Sequence, residues 1–321
     1  MKKLLILFIL PVIMMSCYDD YIKDYAYTSV YFPFQTDVRT FVVGEGMTIK
    51  VGVVLGGVME NLKNREVSFA LDNSLITSKD ALTTMNGGLP YIKDGVSGLT
   101  SLDPMPAEYY SISDPAKMVI KSGLHTGTVT IKADSAAFLA DPKTVKAQYV
   151  LPFMITGITG IDSVTTAKNY AIIGLRYENM LFGNWYHGGV TTVKDANGSV
   201  VSTTNYYTSL PQADNMVWSL KTVAPNALVT NKISNKAGSF KLTLDGNNII
   251  VSKADGSTID VQPNGASTFN RSKLLQDRKI VLSYKYANGD GTTSYAQDTL
   301  TFRNRIRDGV NEWQDSDPSH Y

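Results

Sequence analysis

From Tyr25 onward the apolar residues recur with a period of two, a rhythm that limits the chain to folds built from half-buried strands. Met47, Ile49, Val51, Val53 and Leu55 share one face of such a run, while Thr48, Lys50 and Gly52 fall on the other. Val129 and Ile131 alternate in the same way with Thr128, Thr130 and Lys132. Further strand candidates span 29–34, 39–43, 66–71, 117–121, 148–156 and 170–177, separated by Gly, Pro, Asn and Asp clusters. Only short helical pieces interrupt them, at 78–85 and at 135–139, where Asp141-Pro142 stops the second. About eight short strands in this half imply an immunoglobulin-like β-sandwich.

Further along, the rhythm becomes a succession of hairpin-linked segments: 185–193, 201–209, 217–223, 228–233, 239–244, 248–252, 258–262, 279–286 and 296–303. Turn signals at Asp195-Ala196-Asn197-Gly198, Asp245-Gly246, Asp255-Gly256 and Asn288-Gly289-Asp290-Gly291 join antiparallel neighbours. Such a meander removes its exposed edges by closing into a barrel or by folding into a sandwich, and both stay open here. Gly183-Asn184-Trp185 is similar to the Gly-x-Trp triplet that opens lipocalin-type barrels, although Trp185 reads better as a core plug. The expected organisation is all-β: a signal peptide at 1–16, a tether at 17–24, an immunoglobulin-like sandwich at 25–178, and a lipocalin-like antiparallel barrel or a sandwich at 179–321, ending in a polar tail.

The signal peptide is read from Lys2 and Lys3, the apolar stretch 4–15 and small Ser16, a run too short for a comfortable membrane-spanning helix. Cys17 is the only cysteine in the chain, so it cannot form an internal disulfide. Met14-Met15-Ser16-Cys17 resembles a bacterial lipobox, with Met14 where Leu is usual; the resemblance implies a Cys17 lipid anchor. Tyr18, Asp19 and Asp20 make Cys-x-Asp-Asp, similar to the acidic signal that sends Bacteroidetes lipoproteins to the outer face of the outer membrane. Cleavage would remove Lys2 and Lys3 from the 30 basic residues and none of the 29 acidic ones, so the mature chain is close to neutral and no nucleic-acid partner is expected.

A wider resemblance rests on Cys17-Tyr18-Asp19-Asp20, Tyr31-Phe32-Pro33-Phe34 with Arg39-Thr40, and Val43-Gly44-Glu45-Gly46 followed by a strand and Gly56-Gly57. These resemble the domain of unknown function that opens many Bacteroidetes surface lipoproteins of polysaccharide-utilisation loci, sometimes ahead of a family 18 glycosidase. Trp185-Tyr186-His187-Gly188-Gly189 and the ending 298–305 are similar to the β-domain of unknown function that accompanies it in non-catalytic members. The resemblance implies a locus type, with a porin-like transporter complex as a partner.

The chemistry of an enzyme is not evident. A glycosidase needs two carboxylates at its site, and a family 18 enzyme would carry Asp-x-x-Asp-x-Asp-x-Glu at a barrel-strand end; no such string occurs. His125, His187 and His320 lie far apart, a lone cysteine excludes a thiolate zinc cluster, and nucleophile elbow, phosphate loop and dinucleotide fingerprint are missing. No enzyme, cofactor or metal is therefore expected. Asn288, Asp290 and Thr292 read as turn chemistry, and Asp298-Thr299-Leu300 resembles an acceptor of Bacteroidetes O-glycosylation. What remains is aromatic: sugar rings pack flat C–H patches on Tyr and Trp faces while amides and acids read the hydroxyls. Tyr206, Tyr207, Trp218 and Trp313, each among Asn, Gln, Asp or Glu, are the candidate glycan-binding residues, with strand alternation as the alternative account of the adjacent tyrosines. The expected function is a non-catalytic, surface-exposed outer-membrane lipoprotein that binds a polysaccharide or glycan. An adhesin-like envelope protein binding another protein is the alternative, and a hydrolase the third.

Overall fold

The computed structural model describes residues 27–206 and 216–315. Cys17, Asp19, Asp20, Tyr207 and the signal and tether segments lie outside the described residues. Two eleven-stranded sheets dominate, the first drawing its strands from Ser29 to Asn179 and the second from Gly183 to Glu312.

The first is the expected immunoglobulin-like sandwich. Its main strands are β1 (Thr36–Val43), β2 (Thr48–Gly56), β3 (Arg65–Leu71), β4 (Lys117–Ile120), β5 (Thr126–Ala133), β6 (Tyr149–Thr159) and β7 (Tyr170–Asn179). They hydrogen-bond in the order β2-β5-β4-β3-β6-β7-β1, and the sheet rolls so that all seven feed one core around Phe41, Val53, Val67, Phe69, Ile131, Phe153 and Leu175. Every pair along this path is antiparallel except β7 with β1, which runs parallel from Ile172 opposite Thr36 to Asn179 opposite Val43. β2 alternates buried and open positions as its sequence predicts, with water on one face. β7 and the first part of β6, as far as Ile155, are buried almost continuously, because helices α1 (Ser74–Ser78), α2 (Ala81–Asn86) and α3 (Pro90–Val96) cover their outer face over Val38, Val150 and Ile172. The helix expected at 78–85 is thus split in two. Asp80 takes a left-handed φ of 45° between α1 and α2, and Pro90 begins a helix that the periodicity had not revealed.

The second sheet closes on itself, which decides between barrel and sandwich. Its wall strands are β8 (Gly183–Lys194), β10 (Val217–Ala224), β11 (Ala227–Thr230), β12 (Phe240–Asp245), β13 (Asn248–Lys253), β14 (Thr268–Phe269), β15 (Lys279–Ala287) and β16 (Thr293–Arg307); β9 (Val200–Tyr206) lies between β8 and β10 in sequence. Each wall strand pairs antiparallel with the next, and β16 returns to β8 from Asn184 opposite Asn304 to Lys194 opposite Thr293. β9 and β10 share the other edge of β8: β10 reaches Val217 opposite Tyr186, and β9 takes over from Tyr206 opposite Gly189. Gly189 serves this junction with a φ of 132°, and a Cβ there would lie 2.1 Å from the Gln297 carbonyl oxygen.

The barrel has a base and a far end. At the base Trp185 plugs the interior, its indole donating to the Leu181 carbonyl at 3.1 Å and meeting Phe302 edge-on at 5.4 Å. The base also joins the sandwich. Glu45, in the turn between β1 and β2, takes Arg305 through two bonds of 2.9 and 2.7 Å and lies 2.7 Å from Arg278, all three groups being buried. Asn179 donates to the Pro225 carbonyl at 2.7 Å, and Asp308 accepts from the Thr40 amide at 3.2 Å.

Candidate functional site

Inward positions change character along the barrel. Near the base they are Leu220, Leu228, Leu242, Ile249, Ile280, Leu282 and Leu300, all apolar. Toward the far end they include His187, Thr191, Tyr284, Ser294 and Asp298, all buried. Strand alternation puts them there: Leu300, Asp298 and Ala296 follow one another inward on β16, and Leu282 and Tyr284 face them from β15 in register.

Asp298 is the centre of this polar array. One carboxylate oxygen accepts from the Tyr284 hydroxyl at 2.5 Å, and the other lies 2.9 Å from His187 Nε2, a close polar contact that is not in line for a hydrogen bond. The Tyr284 hydroxyl in turn accepts from the Ser234 amide at 2.8 Å, and the Ser234 hydroxyl lies 3.0 Å from that of Thr191. Burial pushes the Tyr284 phenol well above its ordinary range, and the Asp298 charge adds to the effect. Burial also raises the Tyr206 phenol.

Three rings flank the array. His187 stacks on Trp218 at 4.7 Å with planes 19° apart, and Tyr206 lies on His187 at 5.0 Å and 40°. Three polar ring atoms here, His187 Nδ1 and Nε2 and Trp218 Nε1, are buried without a hydrogen-bond partner among the described residues. The Trp218 indole N–H is a fixed donor, and a buried donor in that state costs about 1–3 kcal/mol, so it is a place where a bound oxygen would be rewarded.

The structure therefore brings Tyr206 and Trp218 to one place and adds His187, Asp298, Tyr284 and Ser234, which sequence reasoning did not connect. Trp218 is fully buried with His187 on one face, so it offers an indole edge rather than an open stacking platform. Trp313 is elsewhere. It follows the short strand Val310–Glu312 at the base end, is 57% exposed, and belongs to a tail pinned by Gln276, which exchanges two hydrogen bonds with the Asp315 backbone. Asp290 caps its own turn by accepting from the Thr292 amide and hydroxyl. Among the described residues no group of three or more His, Cys, Asp or Glu could hold a metal ion. No helix among them is long and apolar enough to cross a membrane.

Comparison with known proteins extends the description. A family model described as a "-like, N-terminal domain" matches residues 21–162, most of the sandwich. No curated protein matches the chain. A Bacteroides ovatus protein of unknown function, solved at 2.40 Å, is similar to this chain with a TM-score of 0.62 and 20% identity, covering 90% of this chain and 98% of its own. A multidomain Bacteroides ovatus protein including DUF1735 is similar at 11% identity with a TM-score of 0.43, covering 89% of this chain and all of its own. The first likeness establishes that the whole succession of sandwich and barrel is a fold shared with a Bacteroides protein of unknown function.

Proposed function

We propose that this chain is a lipid-anchored protein on the outer face of a Bacteroidetes outer membrane, where it binds a polysaccharide or glycan without cleaving it, beside a porin-like transporter complex. The observation that carries the reading is the Tyr206–His187–Trp218 stack set against Asp298 and Tyr284 at the far end of a closed barrel. Aromatic faces interleaved with fixed donors and acceptors match the alternating C–H patches and hydroxyls of a sugar. The lipobox-like Cys17 and the acidic Asp19-Asp20 support the location, and the Bacteroides fold likeness is consistent with it. The sandwich acts as the spacer, coupled to the barrel through Glu45.

Titration calorimetry of residues 18–321 with oligosaccharides tests this. Binding should vary little with salt, because the chain is nearly neutral. Tyr206→Ala should weaken it by about 5- to 150-fold at an unchanged melting temperature, taking roughly 1–3 kcal/mol per stacked ring by analogy with bases. No heat with any glycan, or release of reducing ends abolished by one carboxylate substitution, would overturn it.

One observation favours a protein partner instead. β9 is exposed over nearly its whole length, with Val200 and Val201 at 61% and 60%, and among the described residues it pairs on one edge only. A strand edge of exposed valines and threonines with unpaired backbone groups is a template for an added strand. Pull-down of a partner that is lost on Val201→Lys, with no glycan bound, would favour this reading.

A further inference from the structure

The hairpin formed by Lys232–Ile233 and Lys236–Ala237 is a two-stranded sheet of its own, separate from the barrel wall. It leaves the wall after β11 and returns at β12, and one residue, Thr230, holds both ends: its hydroxyl donates to the Lys232 carbonyl at 2.8 Å and accepts from the Phe240 amide at 3.1 Å. Gly238 completes the return with a φ of 154°, and a Cβ there would lie 2.8 Å from Ile233 Cδ1. Ile233 and Ser234 are buried, while Asn235, Lys236 and Ala237 are exposed, so the hairpin covers the interior with one face and meets water with the other.

Its attachment inside is polar and small. Ser234, in a left-handed φ of 50°, places its amide on the Tyr284 hydroxyl and its own hydroxyl between Tyr284 and Thr191, at 3.2 and 3.0 Å. That anchor sits on the Asp298–Tyr284 pair, the array that also holds His187 and, against it, Trp218. A wall strand is fixed by a ladder of backbone bonds to both neighbours, whereas this hairpin is held by Ile233 packing, the Ser234 and Thr230 contacts and Lys236 over the Tyr286 ring, so it opens at a lower free energy than the wall.

We propose that the far end of the barrel is a gated binding site for a single neutral sugar unit or similar polyol, with the hairpin 232–237 as the gate and Ser234 as its latch. The proposal rests on the glycan-binding reading and specifies its site. On opening, Tyr284 loses the latch and with Asp298 can take ligand hydroxyls, the unpartnered Trp218 Nε1 can donate to a ligand oxygen, and the Tyr206 ring provides the apolar contact.

Hydrogen exchange followed by mass spectrometry on the mature chain tests the gate, with gluco-, manno-, xylo- and galacto-oligosaccharides of two to six units as probes. Free protein should exchange the amides of 232–237 faster than those of β8, β15 and β16. Ser234→Ala should speed the hairpin roughly two- to tenfold, the factor expected for one lost net hydrogen bond, and leave β15 and β16 unchanged. Thr191→Val removes one of the two partners of the Ser234 hydroxyl and should act in the same direction, more weakly. A bound sugar should slow the hairpin and shift the emission of Trp218, identified by its loss in Trp218→Phe. Hairpin amides that exchange only together with the wall would overturn the gate. Sugar binding that leaves hairpin exchange and Trp218 emission unchanged would overturn the gated site while the glycan reading stood. Binding by none of the probes would overturn the sugar chemistry of the site and the glycan reading with it.

Discussion

Replacing Glu45 by Gln should markedly destabilise the protein at the junction of sandwich and barrel. The side chain is buried between two buried guanidiniums, Arg305 at 2.7 and 2.9 Å and Arg278 at 2.7 Å. Removing one partner of a buried ionic group leaves uncompensated charge and costs about 3–5 kcal/mol. Compensations persist: Arg305 keeps Glu312 at 2.5 Å, and Arg278 keeps the carbonyls of Met180, Ser272 and Lys273 at 2.7, 3.2 and 3.3 Å. Gln also retains one acceptor, so the lower figure applies, about 3 kcal/mol. At roughly 2–4 °C per kcal/mol for a chain of this size, the melting temperature should fall by about 6–12 °C. The effect should also carry a pH signature. Burial alone would raise the Glu45 carboxyl, but hydrogen bonding and charge from Arg305, with the charge of Arg278, outweigh it and leave the group below its ordinary range. A lowered carboxylate contributes stability that is complete above its unfolded value of about 4.3 and is lost as pH falls through the folded value. Urea unfolding of wild type and Glu45→Gln should therefore give a constant difference above about pH 5 that shrinks on further acidification. A difference below about 1 kcal/mol at neutral pH, or one that persists undiminished under acid conditions, would refute the account.

Other expectations are simpler. Trp185→Ala removes the barrel plug and should cost about 3–5 kcal/mol, whereas Trp313→Ala, at 57% exposure, should stay within about 0.5 kcal/mol; calorimetric melting separates the two. The Tyr284 phenol, raised by burial and by Asp298, should stay protonated in the folded protein beyond pH 10, so stability should decline above that value as the unfolded chain ionises first; phenolate absorbance against pH, compared with Tyr284→Phe, checks it. Metabolic labelling with a palmitate analogue should tag wild type and miss Cys17→Ser. Protease added to whole cells should shave wild type and spare a variant with Asp19 and Asp20 replaced by Ala.

What could be read in advance follows from how local each cause is. The Met47–Leu55 alternation located β2 because a strand with one wet face writes its burial into its own sequence. Pro90–Val96 was not read as a helix because its apolar residues, Ile92 and Val96, answer to the outer face of the sheet, a contact absent from local periodicity. Barrel closure is not legible for the same reason, since it depends on β16 meeting β8 across the whole second half. The site divides along this line as well. Residue type alone points to Tyr206 and Trp218, but in the sequence His187 is an isolated histidine and Asp298 falls in a tripeptide that resembles a modification site. Asp298 did carry a local signal. On β16 it falls between Ala296 and Leu300 on the inward face, where a charge has no place unless partners await it. A charged residue at a core register is a local rule broken, and such breaks mark functional or strained sites. With β15 paired beside it, Tyr284 sits two residues past Leu282, the residue opposite Asp298, so its hydroxyl is within reach. The misplaced charge was thus a sharper pointer to the array than any of the aromatic residues, whose inward positions are satisfied equally well by ordinary packing.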